Sequence, residues 1–123
     1  MAETGWSQRP AVLVVVGGCR LGAAFVVDGA QLTIGRAQGS DVIIPDTGIS
    51  RVHVALRRDD LGSIQLTDLE STNGTWVGGK RVRRHTLRDG DRVQVGNGTV
   101  LEIRYLDDPR EVEGWLRYQA AIR

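Results

Sequence analysis

Short apolar runs, separated by glycine-rich breaks, extend along most of the chain. Residues 11–16 form a β-branched run of strand length, and Gly17-Gly18 ends it. Runs of this kind, rich in valine and isoleucine and bounded by glycine, predict β-strands. The same pattern predicts further strands at residues 21–27, 31–34, 41–44, 52–57, 64–69, 75–77, 81–82, 92–95 and 99–105. In the run that begins at Val52, apolar residues alternate with other residues, which indicates a strand with one buried face.

Glycine-containing turns join several of these predicted strands. Asp28-Gly29 lies between two apolar runs and is a good signal for a hairpin. Gly78-Gly79 and Gly96-Asn97-Gly98 predict two more hairpins. Short strands at regular spacing, with no helical pattern until the end of the chain, indicate an all-β fold built as an antiparallel β-sandwich.

The pattern changes to a helical one after residue 107. Asp108 at an N-cap position, Pro109 at the first helical position and Glu111 two residues later resemble a capping box. Val112, Trp115, Gln119 and Ile122 then recur at helical spacing on one face, with Leu116 beside them. We therefore expect a loose leader over residues 1–10, a domain over 11–107, and a short C-terminal helix and linker over 108–123.

The composition of the chain limits the classes of protein to which it can belong. A chain of 123 residues with a net charge of +1 fits one domain and offers no bulk charge for nucleic acid or a membrane surface. The single cysteine, Cys19, excludes an internal disulfide framework. The apolar run at residues 11–16 is too short to span a bilayer, and no signal-peptide pattern opens the chain. We expect a cytoplasmic protein.

Three polar clusters interrupt the apolar pattern, where loop tips are expected. They are Ile34-Gly35-Arg36, Ser50-Arg51-Val52-His53, and the segment of residues 68–75 with the sequence Asp-Leu-Glu-Ser-Thr-Asn-Gly-Thr. Binding groups usually lie on such loops. A guanidinium, hydroxyls and a carboxamide could together bind an oxyanion. Because no paired carboxylates, Ser-His-Asp arrangement or metal-ligand set accompanies them, we expect no catalysis, no metal and no cofactor.

The ordered set Gly-Arg, Ser-x-x-His and Ser/Thr-x-Asn-Gly-Thr resembles the forkhead-associated (FHA) domain, a module that binds phosphothreonine peptides. Residues 40–46 and 87–91 match the family too, so the resemblance covers roughly residues 13–105. It implies a β-sandwich that recognises a phosphothreonine-containing protein downstream of a Ser/Thr kinase. The matching positions imply phosphopeptide contacts from Arg36, Ser50, Arg51, Thr72 and Asn73, and structural support from Gly35, His53, Ser71 and Gly74. The alternative for Arg36 is a surface ion pair with Asp41 or Asp46.

Two positions depart from the family pattern. Gly48 occupies the position where some members carry a residue that contacts the third residue after phosphothreonine, so the specificity determinant is left open. Gly78 replaces an asparagine that many members use to brace the recognition loop.

Two other functions are compatible with the residues. The domain could be a phosphate-independent interaction or dimerisation scaffold. It could also bind nucleic acid through a basic cluster, formed by Lys80, Arg81, Arg83, Arg84, His85 and Arg88. Aromatic residues for base stacking are not interleaved with this cluster, and acidic residues adjoin it, so we expect no nucleic-acid binding.

The tail suggests a larger context. Residues 115–123 resemble the linker that leads into bacterial diguanylate cyclase (GGDEF) domains. This resemblance implies an N-terminal sensor of a longer bacterial signalling protein. The apolar side of the helix would then pair across a homodimer, because an isolated helix of this length is marginally stable in water.

Overall fold

The computed structural model describes residues 9–27, 31–108 and 110–121. Within these ranges the chain forms eleven strands, followed by one helix, α1 (Arg110–Ala121). The strands are β1 (Ala11–Gly17), β2 (Ala24–Val27), β3 (Gln31–Gly35), β4 (Val42–Ile43), β5 (Val54–Arg58), β6 (Ile64–Asp68), β7 (Thr75–Val77), β8 (Lys80–Arg81), β9 (Arg84–Leu87), β10 (Arg92–Val95) and β11 (Thr99–Tyr105).

Two sheets pack face to face, which confirms the predicted β-sandwich. One sheet has the strand order β2-β1-β11-β10-β7-β8, and the other has the order β4-β3-β5-β6-β9. Their inward side chains form one apolar interior, in which Leu13 and Ile103 meet residues such as Ile34 and Leu66. Neighbouring strands are antiparallel except for β3 and β4, which pair in parallel over two residues.

The Asp28-Gly29 hairpin prediction is wrong. The turn itself lies outside the described residues, but β2 pairs with β1, whereas β3 pairs with β4 and β5 in the other sheet. The chain therefore crosses between the sheets at this point. A local turn signal cannot distinguish a hairpin from such a crossing, since both need a tight change of direction.

Most predicted strand ends lie within one residue of the observed ones, but two strands begin two or three residues later than predicted. The second strand begins at Ala24 and not at residue 21, because Leu21 lies in a turn and is 68% exposed. The strand predicted from Val52 begins at Val54, and the expected burial is reversed before it. Val52 is 43% exposed, whereas His53 is fully buried. The reason is that the chain bends here to place the His53 ring beneath the loops.

Sequence analysis did not predict β9. Its four residues alternate weakly, and only Leu87 is buried. Pairing with β6 places Leu87 opposite Ile64 and so adds it to the interior. The hairpins at Gly78-Gly79 and Gly96-Asn97-Gly98 are as predicted, because β7 pairs with β8 and β10 pairs with β11.

Helix α1 begins with the predicted capping interactions. The Asp108 carboxylate accepts the Arg110 backbone N–H at 2.9 Å, and the Glu111 carboxylate accepts the Asp108 N–H at 3.1 Å. The helix contacts β1 and β2, and Trp115 borders a hollow together with Val14. Pro109 and Ile122, also part of the predicted helix pattern, lie outside the described residues. Nowhere in the described ranges is a helix both long and apolar enough to cross a bilayer.

Candidate functional site

The end of β3 crosses closely over the segment that precedes β5. The Arg36 N–H donates to the Ser50 carbonyl, and the Ala37 N–H donates to the Arg51 carbonyl, both at 3.0 Å. A Cβ at Gly35 would lie only 2.1 Å from the Arg51 oxygen, so no larger residue fits without moving the backbone. This crossing brings the first two polar clusters of the sequence together.

The Arg36 side chain is exposed at this crossing, and one of its guanidinium nitrogens is hydrogen-bonded to the backbone. Its Nε–H donates to the Ile49 carbonyl at 3.0 Å, and in the described part of the chain its terminal nitrogens have no protein partner. The alternative ion pair with Asp41 or Asp46 is not found there. Asp41 instead accepts hydrogen bonds from Thr33, and Asp46 braces another loop. The guanidinium therefore presents N–H donors to solvent.

His53 joins two of the loops from beneath. Its ring is fully buried, its Nδ1 accepts the Ser50 backbone N–H at 3.0 Å, and its Nε2 lies 2.9 Å from the Gly74 carbonyl oxygen. Because Nδ1 accepts, the ring proton is on Nε2, which donates to Gly74. In this neutral tautomer the imidazole fixes the separation between the Ser50 segment and the loop of residues 69–74. His53 is thus placed for structural support.

Direct hydrogen bonds also join these two segments at the surface. The Thr72 N–H donates to Ser50 Oγ at 3.0 Å, and Asn73 Nδ2 donates to the Gly48 carbonyl at 2.9 Å. Thr72 and Asn73 are exposed. Among the described residues, the Thr72 hydroxyl and Asn73 Oδ1 have no further hydrogen-bond partner. The loops are held together while these groups remain available.

Asp68 is a brace that sequence analysis missed. Its carboxylate accepts hydrogen bonds from Ser71 Oγ at 2.5 Å, Ser71 N at 3.1 Å and Thr75 Oγ1 at 2.7 Å. The Ser71 hydroxyl in turn accepts the Gly74 N–H, so Ser71 and Gly74 shape the loop from inside. Burial raises the pKa of Asp68, but the hydrogen bonds from Ser71 and Thr75 outweigh it and hold the pKa below its usual value. The aspartate three residues before a serine is a local turn signal that could have revealed this brace.

Asp46 is a second brace that was missed. It is 5% exposed and accepts from Thr99 Oγ1 at 2.6 Å, the Gly48 N–H at 2.8 Å and the Asn97 N–H at 2.9 Å. Burial raises the pKa of Asp46, and these hydrogen bonds, with that of Thr99 foremost, lower it to a net value below normal. No local signal indicates this role, since two of the partners are about fifty residues away in sequence.

The same packing explains the departure at Gly48. A Cβ at this position would lie 2.7 Å from the Asn97 side-chain oxygen and 2.8 Å from the Asn97 backbone nitrogen. A side chain there would therefore displace the β10–β11 turn. Gly48 can contribute only its backbone to the site.

These segments define one surface, which we call the loop end: residues 35–37, 48–53 and 71–74. It contains all five predicted contact residues, including Arg51, whose side chain is exposed. The residues of the predicted basic cluster lie outside this surface. His85 is hydrogen-bonded to Asp91 at 3.0 Å, whereas Arg81, Arg83 and Arg84 are exposed. In the described part of the chain, no group of three or more His, Cys, Asp or Glu residues could hold a metal ion.

Comparison with known proteins identifies a matching domain family and several similar proteins. The FHA domain model matches residues 32–96. The oxoglutarate dehydrogenase inhibitor of Corynebacterium glutamicum is 35% identical over 89% of this chain, and the glycogen accumulation regulator GarA of Mycolicibacterium smegmatis is 37% identical over 86%. The chain spans 76% and 65% of the lengths of these two relatives.

Solved structures show the same fold. An FHA domain from a study of phosphothreonine-dependent interactions superposes with a TM-score of 0.71 and 32% identity, over 79% of this chain and 97% of that one. The FHA domain of FhaA, solved in complex with the intracellular domain of Rv3910, gives a TM-score of 0.69 and 33% identity, over 76% and 99% of the two chains.

Proposed function

This chain belongs to the FHA domain family, and we propose that its loop end binds a phosphothreonine-containing segment of a partner protein. One observation carries the proposal: the exposed Arg36 guanidinium lies next to the segment in which Ser50 Oγ accepts the Thr72 N–H. The family of solved relatives includes an FHA domain studied for phosphothreonine-dependent interactions. We also propose a non-catalytic role, since relatives are named as an inhibitor and a regulator.

Each contact residue has a role that suits the hydrogen-bond donors and acceptors it presents. A phosphate monoester carries about −1.5 to −2 charges at neutral pH, and the free N–H groups of Arg36 suit two of its oxygens. Ser50 Oγ accepts the Thr72 N–H, which leaves its own hydrogen for phosphate. The Thr72 hydroxyl donates alongside it. Asn73 Oδ1 binds a backbone N–H of the peptide.

Arg51 follows Ser50 and adds a second cation at the rim of the site. Its backbone carbonyl is held by the Ala37 N–H and by Ser40 Oγ, which positions the residue at the crossing. Its side chain has no partner among the described residues. We assign it an exposed contact to phosphate or to peptide. We expect this contact to be weaker than that of Arg36, because the Arg36 Nε–H is held by the Ile49 carbonyl, whereas no described residue orients the Arg51 side chain.

Calorimetry with matched peptides tests the proposal. A phosphothreonine peptide should bind with a dissociation constant of about 1 μM, a binding free energy of about −8 kcal/mol. The unphosphorylated peptide should bind at least about tenfold more weakly. Arg36→Ala should cost about 1.5–3 kcal/mol of binding, because the phosphate loses its charged partner. Arg88→Ala, which removes an exposed cation away from the loop end, is the control. Equal binding of both peptides would overturn the proposal and favour a phosphate-independent scaffold.

The phosphoserine peptide belongs in the same series. Phosphothreonine should bind more tightly, by about 0.8 kcal/mol for one buried methyl group. Equal affinities would show that the methyl group remains in solvent in the complex.

We further propose that residues 11–107 act as the sensor of a longer signalling protein, with 108–123 as linker, and that a Ser/Thr kinase supplies the ligand. The apolar side of α1 would pair across a dimer. Part of this side already contacts β1 and β2 of the same chain, with Trp115 half-buried, which is the competing arrangement. Light scattering on this chain and on residues 1–107 distinguishes the two. A monomer in both cases, at high concentration, would exclude the dimer.

A further inference from the structure

A shallow groove runs along one side of the loop of residues 69–74. It consists of two adjoining hollows with shared walls between the loop and the start of β9, and we call it the side groove. Its polar and charged lining residues are Thr67, Asp68, Glu70, Ser71, Arg81 and Arg83, with Arg84 in the second hollow. Ser71 lines one of the two hollows and also belongs to the loop end, so the side groove adjoins the loop end.

The exposed charges in the side groove are mostly positive. Arg81, Arg83 and Arg84 are exposed and form no ion pair with any residue that the structure describes. The Asp68 side chain is only 11% exposed, and its oxygens are occupied by Ser71 and Thr75. Glu70 is therefore the only exposed carboxylate among these lining residues. Three guanidinium groups opposite one carboxylate favour an anionic ligand.

The position of Arg81 shows how far the side groove lies from the loop end. A Cβ at Gly74 would lie 2.5 Å from Arg81 Nε, so this guanidinium packs directly against the loop of residues 69–74. Gly74 is two residues from Thr72, whose N–H is bonded to Ser50. An extended peptide advances about 3.3 Å per residue. Because two residues span at most about 7 Å of chain, a ligand bound at Ser50 and Thr72 would need about two to four extended residues to reach the Arg81 guanidinium.

Resting on the proposed function, we propose that the side groove binds a second anionic side chain of the same phosphothreonine-bearing segment. The chemistry is that of an oxyanion, either a carboxylate or a second phosphate, two to four residues from the phosphothreonine. This would supply sequence selectivity that Gly48, without a side chain, cannot provide. A nucleic-acid ligand is less suited, because Asp68 and Glu70 lie in the groove walls.

The test uses phosphothreonine peptides with neutral flanks, with two glutamates on either side in turn, or with a second phosphothreonine. One of the doubly anionic peptides should bind about three- to tenfold more tightly than the neutral-flank peptide, the range for two exposed ion pairs. The gain should shrink as salt is raised. Comparing glutamate with phosphate identifies which anion is preferred.

The variant Arg83→Gln/Arg84→Gln should lose this gain while retaining the neutral-flank affinity. Arg88→Gln/Arg117→Gln removes the same charge outside the groove and should keep the gain. The inference is overturned if no anionic flank adds affinity, if both double variants lose the gain equally, or if single-stranded oligonucleotide binds through Arg83 and Arg84 while acidic flanks add nothing. Failure of the proposed function is a separate result, in which the neutral-flank peptide itself does not bind or does not depend on Arg36.

Discussion

Strand β6 connects two regions that are stabilised in different ways. Leu66 is 1% exposed and packs in the apolar interior, whereas Asp68, two residues later, is bound by the Ser71 and Thr75 side chains beneath the loop end. Apolar packing is non-directional and scales with the area removed from water. A buried carboxylate, by contrast, needs particular donors at particular distances. The interior therefore supplies most of the stability, whereas the polar braces supply less of it and determine the shape of the site.

The same contrast holds across the described chain. No buried side-chain nitrogen or oxygen there lacks a hydrogen-bond partner. In and beside the loop end these partners link distant segments, as His53 does with Gly74 and Asp46 does with Thr99. Substitutions that separate stability from binding can test this division.

Leu66→Ala should have the largest effect on stability. Truncating a fully buried leucine removes apolar contacts and leaves a cavity, at a cost of about 2–5 kcal/mol in the free energy of unfolding. Urea denaturation measures this cost. Peptide affinity, corrected for the folded fraction, should stay within about twofold of wild type. A large loss of affinity in the folded fraction would contradict the division between the two regions.

Asp68→Asn should destabilise less but weaken binding more. The amide retains one acceptor oxygen, while its NH₂ group faces donors, so about 1–3 kcal/mol of stability should be lost. The loop of residues 69–74 would lose its internal brace, and we expect peptide binding to fall by about tenfold. Asp60→Asn, at an exposed position, is the matched control for removing one negative charge. Unchanged peptide affinity in Asp68→Asn would show that the loop keeps its shape without this brace.

Acid should affect the loop end through the same carboxylates. Hydrogen bonds hold the pKa values of Asp46 and Asp68 below the usual value, so the unfolded chain binds protons more readily than the folded protein. Their stabilisation is complete above the unfolded pKa, near pH 4, and is lost as the pH falls through the folded pKa values below it. Unfolding free energies measured between pH 2 and 7 should fall on the acid side. The decrease should be shallower in Asp46→Asn/Asp68→Asn, and an identical slope would exclude these two groups as its source.

Gly78→Asn should produce the smallest change. Gly78 has φ of +59°, a conformation that asparagine tolerates, and a Cβ there would meet nothing within 4 Å. Restricting the unfolded chain should stabilise the protein by about 0.4–1 kcal/mol. Thermal unfolding detects a shift of this size. Because Gly78 and Gly79 turn between β7 and β8, peptide affinity should not change, and an improved affinity would show that this turn contributes to loop rigidity.

Local patterns predicted most of the fold. Alternating apolar residues and glycine breaks mark strands such as β1 and β11, since both signals act within a few residues. The weak strand β9 could not be predicted, because its pairing with β6 comes from tertiary structure. The crossing after β2 was mistaken for a hairpin for the same reason.

The candidate site was predicted less completely than the fold. Family resemblance identified five contact residues, and this assignment remains a prediction. The structure brings all five together at the loop end: Arg36, Ser50, Arg51, Thr72 and Asn73. It did not identify Asp46, which accepts a hydrogen bond from the hydroxyl of Thr99, the first residue of β11. Braces of this kind depend on long-range geometry and carry no local pattern. They are where sequence reasoning reaches its limit in this chain.

The bonds from Thr72 to Ser50 and from Asn73 to Gly48 exist in the protein without a ligand. The entropy of ordering these segments is therefore lost during folding and need not be lost again when a peptide arrives. Association should then be limited by diffusion and orientation, with an on-rate of about 10⁵–10⁷ M⁻¹s⁻¹ and no slow conformational phase. Differences in affinity among ligands should appear almost entirely as differences in residence time.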